Sequence, residues 1–160
     1  MKTKGLFILF TLFISVAMIE AQNNMSKMFE KFSSNKDITS IIITKSMLNL
    51  IPAESNVNMN GMDLKKLSDK LDQVEIYTSE KSDACKSFRD EMGIVQKDKS
   101  LELLMSINEK SENVNFYAQK NGDKIKELIM FVNEPDECVI IRIVGSFTSE
   151  DIKKITKDMK

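Results

Sequence analysis

The sequence predicts an α+β protein: an antiparallel sheet with a C-terminal four-strand meander, N-terminal strands and helices packed on it, and a C-terminal helix. Four runs rich in β-branched and aromatic residues follow one another between residues 101 and 147, and such runs are typical of strands. Short polar segments separate them. Asn121-Gly122 is the strongest hairpin signal, because both residues tolerate the positive φ of a type I′ turn. Elsewhere apolar residues recur at spacings of three and four, which indicates amphipathic helices.

The N-terminus has the pattern of a secretory signal peptide. Lys2 and Lys4 precede an uncharged apolar run over residues 5–19, and Ala21 stands where a signal peptidase would cut. A membrane anchor is the alternative, but the run is shorter than the roughly 20 residues that a spanning helix needs. We therefore expect residues 1–21 to be removed and the protein to be exported, either to the periplasm or to the medium.

The remaining residues, 22–160, suffice for a single domain with its own core. The chain has 23 basic and 24 acidic residues, and removal of the signal takes away two lysines and one glutamate, leaving a net charge of −2. A near-neutral domain has no electrostatic basis for binding nucleic acid or an anionic membrane. Arg89 and Arg142 are the only arginines, so few side chains can bind a phosphate or carboxylate in bidentate fashion.

The segment before the meander begins with a predicted helix and a predicted strand. Apolar spacing predicts a helix over 24–34, and the β-branched run 38–45 predicts a buried strand. A helical turn over 46–51 and a polar loop over 53–61 should follow. Apolar spacing then predicts a second helix over 62–72.

Three more elements complete the prediction. Residues 73–78 have the alternation of a strand, and residues 82–95 have the apolar stripe of a helix that starts at Ser82 and Asp83. After the meander, residues 149–159 predict a terminal helix with Ser149 as its N-cap.

The meander also predicts a register. With Asn121-Gly122 as a two-residue turn and 133–136 as the next loop, Glu127 faces Arg142. One face would hold Val114, Phe116, Ile129, Phe131, Ile140 and Val144, and the other Tyr117, Leu128, Met130, Val132, Val139, Ile141 and Ile143. Both faces are apolar, although a sheet with one solvated face should alternate more cleanly. Three explanations follow, in order of preference: helices cover parts of both faces, a bulge near Glu127 switches the register, or one face is an interface.

Few residues suit chemistry. The absence of histidine removes Ser-His and Cys-His catalysis and the commonest metal ligand. Two Met-x-x-Met spacings, Met25/Met28 and Met59/Met62, suit Cu(I), but the apolar stripe of a helix explains such methionines better. The acidic tip at 134–137 suits calcium, but an ordinary turn explains it better. Glu127 with Arg142 fits a structural cross-strand pair better than a catalytic acid. We predict no catalytic, cofactor-binding or metal-binding residues.

Cys85 and Cys138 are the only cysteines. In an exported protein they can form one disulfide, which would close a loop of roughly 50 residues and stabilise the fold by about 3–4 kcal/mol. Two separate half-buried thiols are the alternative, since cysteine also behaves as a small apolar residue.

The chain resembles a family of small exported bacterial proteins, typical of Bacteroidetes envelopes and known as a domain of unknown function. The resemblance is carried by a signal ending in Ala-Gln, by Met-Phe-Glu-Lys-Phe at 28–32, by Ile-Thr-Ser-Ile-Ile-Ile-Thr-Lys at 38–45, by the hairpin at 113–128 and by the strand at 136–145. It implies an α+β domain in the periplasm or at the cell surface. Many relatives look like lipoproteins, whereas this chain has no cysteine after its apolar run.

We therefore expect an exported, non-enzymatic domain that binds a protein or envelope component, through the second apolar sheet face or an exposed helix. The alternative is a periplasmic carrier of a small hydrophobic ligand, with Met92, Met105 and Met130 lining an apolar pocket.

Overall fold

The structure is a computed structural model that describes residues 25–50, 58–59, 62–63 and 68–156. The helices are α1 (25–34), α2 (Lys45–Leu50), α3 (Ser82–Val95) and α4 (Ser149–Thr156). The strands are β1 (Thr39–Thr44), β2 (Asn58–Met59), β3 (Met62–Asp63), β4 (Leu71–Ser79), β5 (Leu101–Glu109), β6 (Glu112–Asn121), β7 (Lys124–Asn133) and β8 (Cys138–Phe147). The predicted signal peptide lies outside the described residues, and none of the helices within them is long and apolar enough to cross a membrane.

Six strands form one antiparallel sheet in the order β1-β4-β8-β7-β6-β5, and β2 pairs with β3 in a separate hairpin. The predicted α+β class, the four-strand meander β5–β8 and the C-terminal helix are confirmed. β1 and β4 extend the sheet beyond β8, so the N-terminal strands occupy one side and the meander occupies the other.

Helices cover both faces of the sheet. The first of the three explanations for the two apolar faces is therefore confirmed. On the α1/α3 face, the helices pack on β-strand residues Tyr77, Tyr117, Ile129, Phe131 and Ile140. On the α2/α4 face, Leu48 and Ile152 pack on residues that include Val74, Ile76, Phe116, Leu128, Met130, Ile141 and Ile143. Phe88 and Met92 of α3 are 0 % exposed, and burial of each such side chain contributes roughly 1.5–3 kcal/mol.

The predicted register of the meander is wrong. Asn121 pairs with Lys124, so the hairpin turn is Gly122-Asp123, with Gly122 at a φ of 61°. Beyond the turn, Lys126 is an extra residue on β7 relative to β6, whereas in the pairing of β7 with β8 the extra residue is on β8, between Val144 and Phe147. Such a bulge moves every later side chain to the opposite face. Phe116 therefore lies opposite Met130, and the bulge expected near Glu127 is confirmed.

The helix predicted over 62–72 is wrong at both of its ends. Met62–Asp63 pair with β2, and the strand β4 already begins at Leu71, which is 0 % exposed opposite Gly145. Pairing with β8 fixes Leu71 as a strand residue, and such long-range pairing overrides local helical spacing. Residues 64–67 lie outside the described residues.

The predicted helix starts need two small corrections. Thr148, one residue before Ser149, caps α4: its hydroxyl accepts a bond from the Asp151 amide, and the Asp151 carboxylate accepts one from the Thr148 amide. The N-cap of α3 is Lys81, without a side-chain bond, so Ser82 is the first helical residue.

A disulfide joins Cys85 on α3 to Cys138 on β8, which settles the question that the sequence left open. The Cα atoms are 5.5 Å apart and the two residues are separated by 53 positions. The bond ties α3 to the centre of the sheet.

Candidate functional site

Two β-bulges lie on either side of β8, near one end of the sheet. Asp72 is the extra residue of β4 relative to β8, between Leu71 and Gln73, and Lys126 is the extra residue of β7 relative to β6. Bulges bend a strand and redirect side chains, and they are frequent beside functional sites. Gly145 of β8 lies opposite Leu71, and a Cβ at this position would collide with the carbonyl oxygen of Lys70. The strands approach closely here, and only glycine fits.

Both bulged residues line one groove of about 790 Å³, which we call the bulge groove. It crosses the ends of β4, β8, β7 and β6 and reaches the residues that precede β5. Its lining residues are Met25, Ser26, Asp72, Lys99, Ser100, Gln119, Lys120, Asn121, Lys126, Glu127, Arg142, Val144 and Gly145. A cavity of this size is in the range of small-ligand sites, but most of these side chains are polar.

A buried charge cluster of Arg142, Glu75 and Glu127 stands at this end of the α1/α3 face. The Arg142 guanidinium donates from Nε to Glu127 Oε1 at 2.6 Å and from Nη1 to Glu75 Oε1 at 2.9 Å. The side chains of the three residues are 17 %, 5 % and 9 % exposed, respectively. The ring of Phe29 on α1 lies 4.6 Å from the guanidinium carbon, an arrangement that adds a cation–π attraction.

Neighbouring side chains complete the hydrogen bonding of Glu75. Its Oε2 accepts from the Tyr77 hydroxyl at 2.7 Å, and its Oε1 accepts from Gln73 at 2.8 Å. The pKa of Tyr77 is raised to about 12, chiefly by burial and in part by Glu75. For Arg142, burial alone lowers the pKa, but Glu127 and Glu75 outweigh burial and raise it. The guanidinium therefore stays charged, and each of the three side chains of the cluster is hydrogen-bonded within it.

The rim of the bulge groove differs from this cluster, because several of its donors are unused. Lys120 pairs with Glu102, and Asp72 pairs with Lys45, each at 2.8 Å. Neither Lys99 nor Lys126 has an ion-pair partner in the part of the chain that the structure describes.

Ser100 adds a second unused donor group to the groove. Its hydroxyl oxygen is the one buried side-chain polar atom among the described residues that has no hydrogen-bond partner. Buried polar atoms are rarely left unsatisfied, so such an atom calls for an explanation. Lys99 and Lys126 therefore present two cations to whatever enters the groove, and the unsatisfied hydroxyl of Ser100 lies in its wall.

The methionines expected to line a hydrophobic pocket are not brought together. Met92 and Met130 are buried on opposite faces of the sheet, and Met105 is 37 % exposed on the edge strand β5. None of them lines the bulge groove or a smaller cavity of about 400 Å³ between α1 and α3. This smaller cavity mixes Met25, Met28, Ile94 and Val95 with charged side chains.

The sheet face expected to bind a partner is not a free surface. Leu128, Met130, Val132, Val139, Ile141 and Ile143 are each at most 9 % exposed, and Tyr117 lies on the other face. The exposed large apolar side chains lie elsewhere, mostly on the edge strands and α2: Ile41, Ile42, Met47, Leu50, Ile94, Leu103, Met105 and Ile107.

The other patterns considered in the sequence have structural roles here. Met25 and Met28 are both 6 % exposed in the α1/α3 core, while the side chains of Met59 and Met62 lie outside the described residues. At the acidic tip, Glu137 accepts a bond from the Thr78 hydroxyl. No group of three or more metal-ligating residues is present among the described residues.

The groove was not predicted from the sequence. Glu75 was missed because its bond to Arg142 joins residues 67 positions apart. One local signal was available: polar and apolar residues alternate through Lys124, Ile125 and Lys126, and the alternation breaks at Lys126-Glu127, where two polar residues follow one another, as happens when a bulge shifts the faces.

The comparisons with known proteins identify the family. No curated protein matches the chain. The model of a family described as a domain of unknown function, DUF4252, matches residues 18–155. Since this match covers most of the sequence, the chain belongs to the DUF4252 family.

Proposed function

We propose that the chain is an exported, non-enzymatic binding domain, and that the bulge groove holds an acidic segment of a partner protein. The observation that carries this proposal is the placement of Lys99, Lys126 and the unsatisfied Ser100 hydroxyl on one groove. Lysine ammonium groups and a hydroxyl are suitable donors for carboxylates.

The bulge at Lys126 gives this placement a physical reason. A regular β7 would alternate between the two covered faces, whereas the bulged residue leaves the ladder with β6 and its side chain lines the groove. The buried cluster of Arg142 with two glutamates keeps the strands in position beneath it. Binding then needs no reacting group.

Export is supported by the signal-like N-terminus and by the disulfide, because disulfides persist mainly in oxidising compartments. Mass spectrometry of the protein recovered from its own cells tests this part directly. We expect a mature chain that begins at Gln22 and is found outside the cytoplasm. An intact leader on a cytoplasmic protein would contradict it.

Fluorescence anisotropy with a rhodamine-labelled oligoglutamate peptide tests the groove. We expect binding that weakens as salt is raised and that Lys126→Gln reduces several-fold. Lys124→Gln is the matched control: it removes the same charge two residues away, at an exposed position that does not line the groove. Equal loss in both variants would assign binding to net charge alone.

A second binding experiment distinguishes a protein partner from another kind of envelope component. Labelled oligogalacturonate presents carboxylates on a sugar backbone instead of a peptide. Stronger binding of the sugar than of the peptide would replace the protein partner with an anionic polysaccharide. Failure of both probes to bind would refute the proposal.

A further inference from the structure

Among the strands that the structure describes, β1 is an edge strand without a bulge, a charge or a proline. It is the outermost strand beside β4, and its six residues pair with β4 without any register shift. Its sequence, Thr-Ser-Ile-Ile-Ile-Thr, has no charge and no proline. Edge strands in monomeric proteins are normally interrupted by lysine, proline or bulges, because their free backbone groups pair with other strands.

The apolar side chains of β1 are exposed as well. Ile41 and Ile42 are 47 % and 50 % exposed and point to opposite faces of the sheet, since Ile41 lies opposite Ile76 and Ile42 opposite Glu75. The following helix α2 packs on β1 and β4. Its Met47 and Leu50 are 57 % and 74 % exposed, so apolar surface continues beside the edge.

The other edge strand is different. β5 has a register shift between Leu103 and Met105 and carries Glu102 and Glu109. The bulge interrupts the ladder, and the acids repel a second copy of the same strand. The lack of protection is therefore specific to β1.

We propose that β1 pairs with β1 of a second copy of this chain, in antiparallel orientation about a two-fold axis. The sequence of β1 is self-complementary around Ile42. With Ile42 on the axis, Ile42 faces its own copy, Ile41 faces Ile43 twice, and Ser40 faces Thr44 twice. Each pair lies on one face, as antiparallel pairing requires.

This register has a favourable set of contacts. All three isoleucines meet isoleucines, and pairs of β-branched residues stabilise neighbouring strands. No like charges meet, because β1 has none. The two sheets become one continuous sheet, and an isologous two-fold contact of this kind closes at two copies without growing into a fibre.

The test is the association state of the protein expressed from its full-length sequence, measured by sedimentation velocity over a concentration series. The wild type should dimerise. Ile42→Lys should raise the dimer dissociation constant by about 100-fold or more, because it places two ammonium groups face to face. Ile94→Lys is the control, since Ile94 is 63 % exposed on α3, a helix that packs on β7 and β8. It should leave the constant unchanged.

A cysteine pair tests the register. Ile42→Cys should form a disulfide between copies on mild oxidation, and Ser40→Cys should not, because Ser40 faces Thr44. The native cysteines are already joined to each other. Circular dichroism establishes that each variant is folded. A wild type that stays monomeric at high concentration, an Ile42→Lys dimer of unchanged affinity, or cross-linking through residue 40 would each overturn the proposal.

Discussion

Replacing Arg142 by methionine should destabilise the protein strongly. The change removes the one cation that Glu75 and Glu127 share, and it leaves two carboxylate side chains that are 5 % and 9 % exposed. Removing one partner of a buried ion pair typically costs 3–5 kcal/mol, because the remaining charge is uncompensated. Since the Arg142 side chain is itself 17 % exposed, we expect the lower end of this range, about 3 kcal/mol.

The loss should depend on pH. It should be largest at neutral pH and shrink in acid, because protonation of the carboxyl groups removes the uncompensated charge. Urea unfolding at neutral pH and near pH 4, followed by circular dichroism, measures both free energies of unfolding. A triple variant, Arg142→Met with Glu75→Gln and Glu127→Gln, should recover much of the loss.

The chain offers a matched control in its only other arginine. Arg89 bonds to the Asn133 side chain at 3.0 Å on the surface, so Arg89→Met should change the free energy of unfolding by less than about 0.5 kcal/mol. A loss below about 1 kcal/mol for Arg142→Met, or a loss independent of pH, would refute the interpretation of the cluster as a buried ion network.

Two further predictions concern stability. Replacing Cys85 and Cys138 by alanine opens a loop whose ends are 53 residues apart and should lower the free energy of unfolding by about 4 kcal/mol in the chain-entropy model. Urea unfolding measures this loss, and adding reductant should abolish the difference between the variant and the wild type. For Asp151, bonds from Lys70 and the Thr148 amide lower the pKa to about 2 from 3.8. The folded-state value is below the unfolded one, so the stabilisation is present above about pH 4 and is lost as pH falls toward about 2. Because Lys70 is about half exposed, Asp151→Asn should lower the free energy of unfolding by only about 1–2 kcal/mol at neutral pH and by nothing near pH 2. A loss that persists in acid would contradict this prediction.

The sequence predicted those features that depend on neighbouring residues. The stripe of Phe88 and Met92 predicted α3 with the observed bounds, because helical spacing requires only a short window. β1 and the four meander strands were predicted from their β-branched composition. The expectation that the strand over 38–45 is buried was wrong, because β1 lies at the edge of the sheet and five of its six residues are exposed. The contact between Glu127 and Arg142 was also expected, although as a directly opposed pair, whereas Arg142 lies opposite Glu75 and Ile129.

Features set by long-range pairing were predicted less well. A bulge near Glu127 was one of the alternatives, but the bulges at Asp72 and Lys126 are defined relative to β8 and β6, respectively, and no local pattern states which neighbour a strand will have. One bulge was enough to reverse the faces of Val114 and Phe116 relative to Ile129. The bulge groove depends on both bulges, so it could not be located before the sheet order was known.

The most direct test of the bulge groove is a titration of the isotopically labelled protein with oligoglutamate, in which NMR records the amide chemical shifts. The account predicts that the largest changes cluster around Asp72, Lys99-Ser100, Gln119–Asn121 and Lys126, which line the bulge groove. Shifts confined to the exposed edge of β5, or no shifts at all, would contradict it.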